Sequence, residues 1–326
     1  MVKDKQFAEM HCGQMVGYGD YHVIQYGKVP VPHVESTHIL IRVHASSINP
    51  LDCHLRAGRY KSLIFSPMPR ILGFDVAGEV VSLGSQVKHF RIGDRVIAKV
   101  INLPGGAHAE VISLPERICT LLPQTIDYLT AGGLPLAGLT ALQGLRDYLR
   151  VRPGQQVLIN GAGGGVGHLA LQLAKVMRAR VTAVVSTPHV EWATLLGADV
   201  IIDRQQTALD TLATTFDAIY DVAGTLSIEQ AKALLQPQGR YVTTAFTPSD
   251  WLQQGCQYFF SGQQFATIFV RSSRMDLDYL LNLLVQQAIR LQINQVFKLE
   301  DIQAAHQYMA EKKGLGKVII KMKHER

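Results

Sequence analysis

The residues best suited to chemistry lie in one short stretch, "NGAGGGVGHLAL", residues 160–171. It packs five glycines into seven positions and then turns helical. Read against G-x-G-x-x-G, the match is Ala162-x-Gly164-x-x-Gly167, with Ala in the first slot. Ala162 would sit in a tight turn. Gly164 would let a pyrophosphate approach the main chain without meeting a Cβ, and Gly167 would let the helix pack close to its strand. The backbone of Ala162, Gly163, Gly164, Gly165, Val166 and Gly167 would then present N–H groups and the partial positive charge of a helix start to the phosphates. No Gly-Lys-Ser/Thr follows, so this is not a mononucleotide P-loop.

The dinucleotide can be narrowed further. An NAD site usually carries an acid about 20 residues on, at the end of the second strand, to hold the ribose 2′-hydroxyl. Here that strand ends in Ser186, followed by Thr187, Pro188 and His189. A hydroxyl accommodates a 2′-phosphate that a carboxylate would repel, so NADP(H) is favoured over NAD(H). His189 and Arg204 are candidates for positive charge beside that phosphate.

A turn of this kind needs a strand before it and an amphipathic helix after it. "QVLIN" is a strand, and "VGHLALQLAKVMR" places Val166, Leu169, Ala170, Leu173 and Met177 on one stripe. Thr187 is expected to cap the next helix, with Pro188 at its first position and Gly197 at its end. "RVTAVVS", "VIID", "FDAIYDV" and "GRYVTT" are further near-continuous apolar strands alternating with helices, the texture of a parallel sheet covered on both faces. Residues before about Pro123 read differently, as short strands broken by turns: "HILIRVHA", "VAGEVVSLG", "DRVIAKV", "AEVISL". After about Gln263 come the strand "FATIFV", a helix from about Asp276 to Gln287, the helix "LEDIQAAHQYMAE" and the strand "GKVIIKM". Pattern alone does not say which domain this tail joins.

Composition bounds the rest. A chain of 326 residues predicts two domains. With 32 basic and 26 acidic residues it is mildly basic at +6, without a Lys/Arg block of five or more, so nucleic-acid binding is not expected. Four scattered cysteines make no disulfide framework and point to a reducing compartment, with cytoplasmic localisation expected. The first residues do not read as a secretory signal, and no apolar run approaches 18 residues, so no membrane association is expected.

These residues also carry a family resemblance. "YGKVPVPHVESTHILIRVHASSINPLDCHLRAG", "ILGFDVAGEVVSLGSQVKHFRIGDRVIA", "GGAHAEVISLPE", "LPLAGLTALQGL", the glycine turn, "LGADVIID" and "GKVII" are similar, in this order, to the zinc-free quinone oxidoreductase branch of the medium-chain dehydrogenase/reductase superfamily. The resemblance implies an α/β protein with a GroES-like β-rich catalytic domain and a Rossmann doubly wound parallel sheet. The expected segments are 1–123 for the first part of the catalytic domain, 124–264 for the NADP-binding domain and 265–326 for a return to the catalytic domain. It implies a cofactor cleft between the two domains and a homodimer joined through an edge strand such as "FATIFV".

Zinc-dependent relatives place Cys where this chain has Asn49, and Gly-His-Glu where it has Gly73-Phe74-Asp75. Asn and Phe are not zinc ligands, and the adjacent pairs Cys53-His54 and His11-Cys12, if on strands, would face apart. A site without a Lewis acid suits acceptors that are already electrophilic, namely quinones or α,β-unsaturated carbonyls. The resemblance sets Asn49, His54 and Tyr60 beside the substrate: Asn49 as hydrogen-bond donor, and Tyr60, or His54 where the branch often has Tyr, as proton donor. Phe65 and Phe74 line or support the site or pack in the core, and Asp52 is expected to hold structure, with Arg56 within reach of a local pair. On the cofactor side the resemblance assigns Thr140, Ala223, Gly224, Phe269, Val270, Gly316 and Lys317. The activity expected is an NADPH-dependent, metal-free quinone or enone reductase. The altered His54 and His108 keep a second reading open, an NADPH-binding protein of low turnover that acts by binding RNA or a protein.

Overall fold

The computed structural model describes residues 9–63, 66–245, 262–311 and 314–323. The chain divides into two compact units. One takes residues 1–136, 271–285 and 293–326, and the other 137–270 and 286–292.

The first unit is β-rich. Its strands are β1 (Glu9–Met15), β2 (Ile24–Pro30), β3 (His38–Ile48), β4 (Arg70–Ile71), β5 (Asp75–Leu83), β6 (Arg95–Lys99), β7 (Val111–Pro115) and β8 (Cys119–Leu121). A parallel sheet in the second unit is built from β9 (Gln156–Asn160), β10 (Arg180–Val185), β11 (Val200–Asp203), β12 (Phe216–Asp221), β13 (Leu235–Thr243) and β14 (Gln264–Thr267). Two later strands, β15 (Ile293–Lys298) and β16 (Lys317–Lys321), return to the first unit.

In the first unit the large sheet runs β15-β16-β3-β5-β6-β8, with β7 also paired to β3, and a small sheet runs β2-β1-β4. β3 is the spine. Its residues Ile39, Ile41, Val43 and Ala45 alternate into the core and are fully buried. β7 takes the first half of one edge of β3, and β16 takes the second, with Val318 opposite Ile48 and Ile319 opposite Ser47. Two helices pack here: α1 (Pro50–Arg56), directly after β3, and α2 (Tyr128–Gly133). α2 lies so close to β3 that a Cβ on Gly132 would come within 2.7 Å of the Ala45 Cβ. That contact keeps the segment with the first unit, so the division falls after Leu136 and not after residue 123.

In the second unit the order β11-β10-β9-β12-β13-β14 reverses at β9 and β12, as in a doubly wound sheet. β9 is buried on both faces, Val157, Leu158 and Ile159 being inaccessible to solvent, because helices cover both sides. The chain enters this unit through α3 (Pro135–Gln143); α4 (Gly167–Val176), α5 (Val190–Leu195) and α6 (Ile228–Leu234) follow β9, β10 and β12. β14 is an edge strand and ends at Thr267, so Phe269 and Val270 lie beyond it, not within it as the apolar run "FATIFV" suggested. The later helices are α7 (Arg274–Val285) and α8 (Ile302–Ala310). Among the described residues no helix is long and apolar enough to cross a membrane.

Candidate active site

The second unit builds a turn between β9 and α4. Gly161 adopts a positive φ of 85°, and a Cβ there would meet Ala223 at 3.0 Å. The tight-turn task therefore belongs to Gly161, and Ala162, which the fingerprint alignment put in that role, is a buried residue beside it. Gly163 is bare for an internal reason, since a Cβ would lie 2.4 Å from His189 Nδ1. Gly167 is bare because a Cβ would lie 2.0 Å from the Gly161 carbonyl oxygen. Gly164 is different. It is exposed, and its nearest neighbour to a Cβ is the Gly161 oxygen at 3.4 Å, an ordinary contact. Nothing inside the fold requires glycine there. Among the described residues the N–H groups of Gly163, Gly165 and Val166 have no hydrogen-bond partner. An open surface above a bare residue, ringed by free amides at a helix start, fits a diphosphate.

Two side chains not singled out from the sequence hold this turn. His168, fully buried in the first turn of α4, bonds the Gly164 oxygen through Nδ1 at 2.9 Å and accepts the Gln292 N–H at Nε2, 3.1 Å. A carbonyl can only accept and an N–H only donate, so the proton sits on Nδ1. Asp221, the last residue of β12 and fully buried, is the second. Its Oδ1 accepts from Asn160 Nδ2 at 2.7 Å, Gly224 N at 2.9 Å and Thr225 N at 3.3 Å. Its Oδ2 accepts from Leu226 N and Tyr241 Oη, both at 3.0 Å. This carboxylate shapes the loop of Ala223 and Gly224 against the glycine turn. The signal available in sequence was an acid closing an apolar strand, "AIYDV".

At the end of β10, Ser186 caps the following turn in extended conformation, and Thr187 opens it. Thr187 therefore does not cap the helix: it opens a short 3-10 turn, Thr187–His189, that leads into α5, whose N-cap is His189, and the Thr187 hydroxyl is drawn to Asp203 Oδ2 at 2.6 Å. Asp203, at the end of β11, is a carboxylate near the Ser186 turn that sequence spacing did not place there; its other oxygen accepts the Gln205 N–H at 3.0 Å. His189 Nδ1 lies 3.4 Å from Ser186 Oγ, and burial followed by the Arg204 charge lowers its pKa. That shift favours the neutral ring at His189; Arg204, the other candidate for positive charge, is exposed. Thr140 is buried on α3, its carbonyl taking the Tyr220 hydroxyl at 2.7 Å. Phe269 is 60% exposed, and its N–H donates to the Tyr148 hydroxyl at 3.1 Å; Val270 follows it, half-buried.

The first unit gathers a separate buried polar cluster around Asn49, which caps α1 between β3 and Pro50. The Asn49 Oδ1 accepts from Lys317 Nζ at 2.6 Å, and Nδ2 donates to Asp75 Oδ2 at 2.9 Å and to Ser47 Oγ at 3.4 Å. Lys317 Nζ also lies 3.6 Å from Asp75 Oδ2, and Asp75 Oδ1 accepts the Leu136 N–H at 2.5 Å. Ser47 Oγ donates to Asp75 as well. Lys317, matched by resemblance to a closing loop at the cofactor, is here 3% exposed on β16 and bonded to Asn49. Burial pulls its ammonium pKa down, opposed by Asp75 and Asp52; Gly316, the residue before it, is half-buried with φ 90°.

Asp52 does not pair with Arg56. It accepts the N–H of Asn49 at 2.8 Å and of Gly73 at 2.9 Å, fixing the start of α1 against the loop before β5. Full burial raises its pKa. Arg56 reaches the His306 carbonyl at 3.5 Å. Cys53 and His54 lie on α1, not on a strand, so the face-to-face argument against joint chelation gives way to helical spacing. His54 Nε2 is 3.3 Å from Arg59 Nη1, which can only donate, so Nδ1 carries the ring proton. Tyr60 stands edge-on to His54 with centroids 6.3 Å apart, and both are half-buried. Phe74 is 2% exposed and packs in the core; Phe65 lies outside the described residues. Among the described residues no three His, Cys, Asp or Glu side chains come together as a metal-ligand set.

His108 is buried, bonds the Ser47 carbonyl through Nε2 at 3.2 Å and stands edge-on to His306 with centroids 5.7 Å apart. Neither ring nitrogen of His306 has a partner among the described residues. Burial, then the His108 and Arg56 charges, pushes its pKa well below 6.5. The unfolded chain then takes up a proton near pH 6.5 that the folded chain refuses, so folding stability falls as pH drops below 6.5. We expect His306→Leu to flatten that acid limb, by up to about 1.4 kcal/mol per pH unit, in chemical-denaturation series run from pH 7.5 to 5. A parallel loss in both proteins would remove His306 from the account.

This combination, a doubly wound sheet with a bare glycine turn and a β-rich unit with a polar cluster at the start of α1, is that of the medium-chain dehydrogenases. The chain belongs to the quinone oxidoreductase branch of the medium-chain dehydrogenase/reductase superfamily. Residues 35–124 match the alcohol dehydrogenase GroES-like domain and residues 196–320 the zinc-binding dehydrogenase family. The chain is 30% identical over 322 residues to the chloroplast envelope quinone oxidoreductase homolog of Arabidopsis thaliana, covering 95% of this chain and 98% of that one. It is 36% identical over 251 residues to the NADPH-dependent alkenal/one oxidoreductase, chloroplastic, of the same plant, covering 74% of this chain and 64% of that one. The quinone oxidoreductase structure from Coxiella burnetii superposes with a TM-score of 0.89 at 29% identity, over 97% of this chain and 100% of that one.

Proposed function

We propose that the chain is an NADPH-dependent reductase that delivers a hydride to a quinone or an α,β-unsaturated carbonyl without a metal. The observation that carries the reading is Gly164, exposed and sterically unconstrained, beside the unpartnered amides of Gly163, Gly165 and Val166. The relatives' names, a quinone oxidoreductase homolog and an alkenal/one oxidoreductase, support the acceptor class. When bound, the nicotinamide ring supplies the hydride. The protein binds the diphosphate at the turn and steadies the charge left on the acceptor oxygen. Asn49 is the donor to that oxygen, with one well-placed donor contributing about 3–4 kcal/mol to the rate. Tyr60, or His54 through Nδ1–H, is the donor of the single proton that completes a hydroquinone or saturated carbonyl. On the cofactor side Thr140, Phe269 and Val270 serve the nicotinamide half, and Ala223, Gly224, Ser186, Thr187, His189 and Arg204 the adenosine half. A homodimer through the β14 edge accords with the family.

A spectrophotometric screen of NADPH oxidation over quinones, enals and enones, run with a chelator present, tests this reading. Turnover on at least one class is expected; none, or turnover that returns only with added zinc, would reject it. The choice of NADPH rests on Arg204 and on Asp203 being tied to Thr187 and Gln205. Arg204→Ala should weaken NADPH binding by roughly 5- to 10-fold, on the scale of a single charge-assisted contact, and leave NADH unchanged. Equal loss for both cofactors in fluorescence titrations would show that Arg204 does not meet the 2′-phosphate.

A further inference from the structure

The proton inventory of the Asn49 cluster has one solution. Lys317 can only donate and the Asp75 carboxylate can only accept. Between them the Asn49 amide must present Oδ1 to Lys317 at 2.6 Å and Nδ2 to Asp75 at 2.9 Å. A flipped amide would set N–H against ammonium and carbonyl against carboxylate. One hydrogen of Nδ2 is therefore committed to Asp75. The other meets Ser47 Oγ at 3.4 Å, at the long limit of a hydrogen bond, and Ser47 already spends its own proton on Asp75. That second N–H is weakly held. Asp75 is fixed in turn by the Leu136 N–H, and Lys317 by its place on β16.

We propose that Lys317 and Asp75 are positioning residues for the reduction: they lock the Asn49 amide so that its one weakly held N–H is the donor offered to the acceptor oxygen. The inference rests on the function proposed above. It also reassigns Lys317, which resemblance alone would count as a cofactor contact. A locked amide needs no reorganisation when charge develops on the oxygen, the condition under which a donor is most effective. Lys317→Met would remove the donor that holds Oδ1, free the amide to rotate and let its carbonyl face the developing charge.

The test is a double-mutant cycle on the NADPH-loaded enzyme with 1,4-naphthoquinone as acceptor, using Asn49→Ala, Lys317→Met and the pair. Lys317→Met should lower kcat by about 10- to 100-fold, the range for a misplaced catalytic contact, with the NADPH dissociation constant within about two-fold of the parent. Added to Asn49→Ala it should cost less than about two-fold more, since coupled residues are non-additive. A raised NADPH dissociation constant with kcat intact at saturating cofactor would make Lys317 a cofactor contact and overturn the proposal. So would losses that multiply in the pair. If Asn49→Ala alone keeps full kcat, the role of Asn49 falls, and the proposal with it, while quinone turnover itself would still uphold the reductase. Lys317→Met leaves a buried carboxylate without its counter-charge; if it does not fold, Asp75→Asn combined with Lys317→Met leaves neither charge and serves in the same cycle.

Discussion

Gly164→Val should raise the NADPH dissociation constant by at least about 100-fold, or roughly 2.7 kcal/mol, while the thermal midpoint stays within a few degrees. The two halves of this expectation come from one measurement in the fold. A Cβ at Gly164 meets only the Gly161 oxygen, at 3.4 Å, an ordinary contact, so nothing in the fold opposes a Cβ there. The methyl groups of the valine would then stand over the free amides of Gly163, Gly165 and Val166, where the proposed diphosphate would lie. Gly167→Val is the contrast. There the Cβ begins 2.0 Å from the Gly161 oxygen, so α4 must move off β9 and the protein should lose stability first. Fluorescence titration and thermal melts of both variants separate the two effects. A Gly164→Val protein that binds NADPH within three-fold of the parent would mean the diphosphate does not cross this turn.

Asp221→Ala should destabilise the second unit by about 3–5 kcal/mol, because removing a buried acceptor leaves its donors desolvated and unpaired. Asn160, Gly224, Thr225, Leu226 and Tyr241 all donate to this carboxylate. The expected fall in thermal midpoint is roughly 5–15 °C. Because Gly224 and Asn160 flank the glycine turn, the NADPH binding proposed there should weaken even at temperatures where the variant is folded. Tyr241→Phe removes one donor and leaves no orphan in the protein other than half of one oxygen, so it should cost about 1 kcal/mol. If both variants melt alike, Asp221 is not the organising group.

What could be read from the chain depended on distance along it. The strand–turn–helix around residues 156–176 was legible because every contact that defines it is local: glycine freedom, an apolar stripe and a helix start. The alternation of strands and helices after residue 123 was legible for the same reason. Within the turn, alignment to the fingerprint hid the role of Gly161, because the pattern counts from Ala162. The groups that organise the two sites were not legible, since they join residues 61, 124 and 268 positions apart: Asn160 with Asp221, His168 with Gln292, and Asn49 with Lys317. A carboxylate after an apolar strand or a histidine in an apolar helix looks the same in sequence whether it is a solvent-facing charge or the knot of a network. The same limit explains Thr187. Its hydroxyl is an ordinary cap by sequence, until β11 brings Asp203 beside it.

The pairing of β16 with β3 also sets an order of events on the ribosome. Asn49 is made 268 residues before the lysine that orients it. The whole of the second unit, which draws its last residues from 286–292, has left the exit tunnel before β16 can reach its place. Until then the far half of β3, from Ala45 to Ile48, presents a bare edge. The nascent chain thus has its second unit fully outside the tunnel while the first unit's sheet is still unfinished, and it is that open strand that chaperones would have most reason to shield.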